Sequence, residues 1–326
     1  MTSLATRLQT ALASQLPRVL AVLTLTATTA FAGAGPTMAA TAPGPLAGPL
    51  AGPLAGPLAE PLAEPVAEPV AEPAAHPVRA QDAGATDEDE RPAPGIHADL
   101  DALLRDHVRD GIVDYTGLSK QPARLDRYLA TLASVKPEEL DRDARIALWV
   151  NAYNAFTLQL ILDNLGEIES IKDISSGKRW KAERWDVGGR ALSLDAIEHE
   201  ILRPMGEPRI HFAIVCASFS CPDLRAEAYL PETLDEQLTD ATEEFLANKA
   251  KGAQVKLESG FFGGDDPNVY VSKIFDWFEE DFEKDGGDVL SFVLRYGQPD
   301  TVAFIRKHRD DVDLEYLDYD WSLNGK

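Results

Sequence analysis

Cys216 and Cys221 are the only cysteines in the chain, five positions apart in HFAIVCASFSCPDL, a stretch that opens with His211. A thiol beside an imidazole can be a nucleophile, two thiols across a tight turn can bridge, and paired thiolates with two more ligands can hold zinc. Zinc is the weakest of these, because no second ligand pair accompanies the cysteines. A bridge needs Cα atoms about 4.4–6.8 Å apart, so it requires a turn within ASFSCP, where small polar residues and Pro222 favour one. A free reactive thiol and plain buried packing stay open beside it. IHFAIV reads as a buried strand, and in a strand His211 and Cys216 face opposite ways, about 16 Å apart. On that expectation His211 is no base for Cys216 unless the chain folds back.

Other polar clusters offer partners. IEHEILR comes close to the zinc-protease pattern H-E-x-x-H, but Arg203 stands where the second histidine belongs, so the metal reading fails. Glu198, His199 and Glu200 are then either a solvated helix face or, through His199, a base for the cysteine segment. Asn151 and Asn154 in NAYNAF share a helix face. Two amides on an apolar helix must hydrogen-bond something, either a loop they brace or a catalytic group they orient. DFEKDGGDVLSF begins like a calcium loop, yet Phe292 occupies its twelfth position, where a bidentate glutamate is needed. With no G-x-G-x-x-G, P-loop or G-x-S-x-G, no cofactor and no metal are expected.

The elements that must position these residues are mostly helical. HADLDALLRDHVRDG has helical spacing up to Gly111. KPEELDRDARIALWVNAYNAFTLQLILDNLG has Pro137 suited to a first helical position and Gly166 as a stop. Its apolar residues, Leu148, Tyr153, Phe156, Leu160 and Leu162 among them, recur too broadly for a surface helix. SLDAIEHEILRP has Ser193 as its cap. TLDEQLTDATEEFLANK, SKIFDWFEEDFEKDG and GGDVLSFVLRYG read as further amphipathic helices, and RIHFAIVCA, AQVKLES and NVYVSK as short strands. The fold class is α+β, a helix-rich single domain over residues 96–326 with a small β-sheet.

Upstream, Arg7 and Arg18 precede the uncharged run VLAVLTLTATTAFAGA, and the small-residue site AFA ends at Ala32. This is the pattern of a signal peptide over residues 1–32, and the run is too short to span a bilayer. The expectation is an exported chain, periplasmic or extracellular, whose mature form is not inserted in a membrane. Residues 33–95 form a low-complexity Ala/Pro/Gly/Glu linker with proline at every fourth position from Pro45 to Pro77, which blocks helix and reads as disordered. A net charge of −23 argues against nucleic acid as a partner.

ALWVNAYNAFTLQLIL, LSLDAIEHEILRP, PRIHFAIVCASFSCPDL, VSKIFDWFEEDF and YDWSLN together resemble the DUF547 family, a domain of unknown function, from about Val113 to Asn324. The blocks match at Asn151, Tyr153, Asn154, Glu198, His199, Leu202, Arg203 and His211. They match again at Cys216, Ser218, Cys221, Pro222, Trp277, Asp281, Trp321 and Asn324. The resemblance implies no settled activity. Two functions are consistent with these residues. One is an envelope binding or structural module, with Cys216–Cys221 as a staple and an unknown protein or cell-envelope ligand as partner. The other is a thiol-dependent hydrolase or acyl transferase drawing on Cys216, Cys221, His199, His211, Asn151 and Asn154. An oxidising compartment favours the first.

Overall fold

The longest element is the helix Arg142–Leu162, which is apolar all round and buried from Ile146 to Leu158. It starts later than the sequence suggests. Pro137–Glu139 forms one separate 3-10 turn, Leu140 is extended, and Asp141 caps the helix by accepting the Ala144 N–H at 2.9 Å. A carboxylate cap satisfies one of the N–H donors that every helix start leaves open, and such caps contribute about 1 kcal/mol.

In this computed structural model residues 92–259 and 265–326 are described, all within one compact unit, Pro69–Lys326. The predicted signal peptide and nearly all of the predicted linker lie outside the described residues. The helix-rich α+β class holds. Helices Ala98–His107 and Ala123–Leu132 pack around the long helix in a first apolar cluster. A second cluster gathers helices Leu234–Ala247, Val289–Tyr296 and Pro299–Lys307 around a three-stranded sheet. In that sheet Asp265–Val271 pairs antiparallel with Ala253–Ser259, Val269 opposite Val255, and parallel with Asp313–Tyr316, Val269 beside Leu314.

Three sequence expectations are corrected. The first helix stops at His107, because Val108–Arg109 and Ile112–Val113 form a hairpin. Asp110 and Gly111, at φ 50° and 74°, supply the left-handed pair its tight turn demands. The segment 272–286 is two short helices, Lys273–Trp277 and Glu279–Lys284, interrupted at Phe278. Most consequential, RIHFAIVCA is no strand. Pro208–Phe212 is a 3-10 helix, and Ala213 to Cys216 run on irregularly. A buried backbone outside a sheet still needs partners. Asn154 supplies them from the long helix: its amide donates to the Ala213 carbonyl at 2.9 Å, and its oxygen accepts the Val215 N–H at 2.8 Å.

The segment 208–216 runs along the seam of the two clusters, with Ile210 in the first and Phe212 in the second. The Tyr319–Asn324 stretch zips onto residues 217–220: Phe219 N–H donates to the Ser322 carbonyl, Ser220 N–H to Asp320, and Asn324 N–H to Ala217.

Candidate functional site

At the seam opens a cleft of about 200 Å³. One edge comes from SLDAIEHEILRP. Ser193 Oγ accepts the Ala196 N–H at 3.0 Å, as its cap role predicts. After Leu194–Ala196 the helix widens to a π turn, Ile197–Leu202, then tightens to 3-10 over Arg203–Met205. Such local widening re-aims side chains and is frequent at functional sites. Here Asp195, Glu198 and His199 all line the cleft.

Glu198 sits on the cleft floor, where the Tyr153 hydroxyl donates to its Oε2 at 3.2 Å. Burial raises its pKa to about 7, although the Tyr153 hydrogen bond and the Arg203 charge favour the anion. Beside it, Arg203 grips Asp281 with Nε at 2.5 Å and a second nitrogen at 3.2 Å. His211 reaches the same carboxylate, Nε2 to Oδ2 at 2.9 Å. Burial alone would disfavour the Asp281 charge, but the hydrogen bonds from His211 and Arg203 outweigh it and hold the carboxyl below its usual range.

Both imidazoles have defined tautomers. Burial lowers the pKa of His211, so it is neutral, and a carboxylate only accepts; its proton is therefore on Nε2. His199 is also lowered, by burial first, and its Nδ1 accepts from Arg203 at 3.0 Å. Its proton is thus on Nε2, which lies 3.9 Å from Asp195. The Phe278 ring stacks on His211, centroids 4.1 Å apart, under the Arg203 guanidinium at 5.2 Å. The helix break at Phe278 lets that ring close the floor.

The cysteine loop forms the opposite edge. Cys216 and Cys221 are joined in a disulfide with Cα atoms 6.2 Å apart. The turn that joins them places Ala217 in the left-handed region, φ 58°, a conformation an alanine adopts only under constraint. Constraint is visible: the Cys221 N–H bonds to the Ser218 carbonyl, and the Ala217 carbonyl accepts from Asn324. Tyr319 and Ser218 hydroxyls lie 3.4 and 3.0 Å from Cys216 Sγ. Tyr319 also begins an aromatic wall. Its ring is 4.8 Å from Trp277 and 4.5 Å from Trp321, which themselves stack at 28°. Trp277 is 44% exposed at the rim.

Of the residues singled out in the sequence, Cys216, Cys221, His199 and His211 converge on this cleft. His211 does so because the strand that would have turned it away does not form. Asn151 and Asn154 do not line it. Asn151 braces the loop at Tyr229, donating to its carbonyl at 2.8 Å and accepting its N–H at 3.0 Å, as Asn154 braces 213–215. Sequence reasoning named Glu198 and Asp281 among the family-block matches but gave neither a role in the site. Arg203 in the place of a zinc ligand is the signal that points to Asp281: a guanidinium there looks for a carboxylate. Among the described residues no helix is long and apolar enough to cross a membrane.

The family model that matches the chain is that of DUF547, a protein of unknown function, over residues 137–246. This span is narrower than the sequence resemblance, and it divides the cleft. Glu198, His199, Arg203, His211 and both cysteines fall inside it, whereas Trp277, Phe278, Asp281, Tyr319 and Trp321 lie beyond. No curated protein and no solved structure matches the chain.

Proposed function

For a chain whose residues 137–246 are of the DUF547 type, we propose an exported ligand-binding module that works at the cell envelope and takes its ligand in this cleft. The observation that carries the reading is the cleft itself. Mostly aromatic and aliphatic walls, with carboxyl and imidazole groups converging at one end, are the make-up of a small-ligand site. The Cys216–Cys221 bridge supports binding over thiol catalysis, since it ties up both sulfurs and closes the turn onto which the Tyr319–Asn324 stretch is hydrogen-bonded. Export is supported by the basic start, the apolar run and the AFA site. The proline-rich stretch then gives the domain reach.

The test is retention of the purified full chain on washed, insoluble envelope material, without reductant. The wild type should be retained, Trp277→Ala should lose most retention, and Cys216→Ser/Cys221→Ser should keep it. Thiol titration of the unfolded, unreduced chain should find no free thiol. Retention that ignores Trp277, or a titratable thiol whose alkylation abolishes function, would revive the hydrolase or acyl-transferase alternative.

A further inference from the structure

Resting on that binding reading, we propose that the cleft takes an organic cation, an alkylammonium group lodged against the Trp277–Tyr319–Trp321 wall with Asp195 and Glu198 as its counter-charges. Among the described residues that line the cleft there are two carboxyls, Asp195 and Glu198, and no lysine or arginine. Arg203 is committed to Asp281 through two nitrogens and to His199 through a third contact. His199 and His211 are neutral. Among the described residues, the ion-pair partner of Asp195 is His199, Nε2 at 3.9 Å, and Glu198 has the hydrogen bond from the neutral Tyr153 and the nearby charge of Arg203 without an ion pair to it. An anionic ligand would meet two carboxyls and no lysine or arginine among the lining residues, the Arg203 charge beside Glu198 being committed to Asp281.

The wall adds the second ingredient. Aromatic faces attract ammonium groups through the ring quadrupole, most strongly for tryptophan. Trp321 already does so within the chain: Lys172 Nζ stands 4.2 Å from its ring centre. Trp277 leaves nearly half its surface open and lines the same cleft as both carboxyls. The strongly acidic chain also raises the local concentration of any cation.

A cation arriving beside Glu198 favours its ionised form. The charged and titratable groups around Glu198 in the cleft are Tyr153, Asp195, His199, Arg203, His211, Asp281 and Tyr319; burial lowers both histidines, whereas the Glu198 carboxyl, raised to about 7, is half protonated at neutral pH. Binding at pH 7 should therefore release roughly half a proton per ligand.

Titration calorimetry of the full chain, in two buffers of different ionisation enthalpy, tests this with choline and N-acetyl-lysine amide. The controls are 3,3-dimethylbutanol, a neutral isostere of choline, and an N-acetylglucosamine disaccharide. The expected result is that an ammonium probe binds about tenfold tighter than the neutral isostere. Proton release should accompany binding and vanish in Glu198→Gln, and Trp277→Ala should weaken binding about tenfold. Choline alone binding assigns a free small cation; the lysine amide alone assigns a side chain. Equal binding of 3,3-dimethylbutanol, or binding of the disaccharide with neither ammonium probe, overturns the proposal. If both ammonium probes fail while envelope retention still depends on Trp277, the ligand class is wrong and the binding module stands. If retention also fails, both fall.

Discussion

Glu198→Gln should stabilise this protein at pH 8 and hardly at all at pH 5. Burial raises the pKa of this carboxyl from 4.5 to about 7. Each pKa unit corresponds to about 1.4 kcal/mol of differential interaction between the two protonation states. A raised carboxyl means that the folded state binds more protons than the unfolded state between the two values. Its contribution is therefore present at low pH and is lost as pH rises through 4.5 to 7. Between pH 5 and 8 the wild type should lose about 2.5 kcal/mol from this group alone, an upper figure because the side chain retains contact with solvent in the cleft. Glutamine keeps an oxygen for the Tyr153 hydroxyl and has no charge to desolvate. The stability gap between variant and wild type should thus widen with pH, by roughly 5–10 °C in melting temperature for a folded region of this size. Paired urea or thermal melts at pH 5, 6, 7 and 8 measure it. A gap that stays constant across that range, or narrows, refutes the assignment of Glu198 as a buried, reluctant carboxylate.

Three further outcomes are expected. Ala217→Gly should raise stability by about 1 kcal/mol or less, since glycine adopts φ 58° freely but gives up unfolded-state entropy; thermal melts that show a loss would mean Ala217 is not strained. Cys216→Ser/Cys221→Ser should cost about 2 kcal/mol, the loop-entropy value for so short a loop, read as a shifted urea midpoint. His97 is buried against Tyr128, Nδ1 to hydroxyl at 2.8 Å, and burial lowers its pKa to about 4. The unfolded state binds the extra proton between 6.5 and 4, so stability should fall by about 3 kcal/mol as pH drops through that window. His97→Gln should flatten this acid limb in chemical denaturation.

Much of the arrangement was legible from local pattern. The 21-residue apolar helix, the Ser193 cap and the AQVKLES and NVYV strands follow from spacing and cap chemistry alone. So does the feasibility of a Cys216–Cys221 bridge, which needs only a turn between them. These features are decided within a few residues of themselves, by periodicity, by capping and by chain reach.

What the sequence could not decide was which way His211 faces. IHFAIV has the composition of a buried strand, and as an isolated segment it would alternate its side chains. Tertiary structure overrules this, because Asn154, distant in sequence, supplies the hydrogen bonds that a neighbouring strand would have given. Freed from that alternation, His211 turns into the cleft with Cys216. In the same way Glu198 and Asp281 are ordinary acidic residues in a chain full of them. Only packing separates them: one is buried with no ion pair and holds its proton to about 7, and the other is clamped by Arg203 and His211 and stays ionised. Local pattern sets which elements form; long-range burial and pairing set what their polar side chains can do.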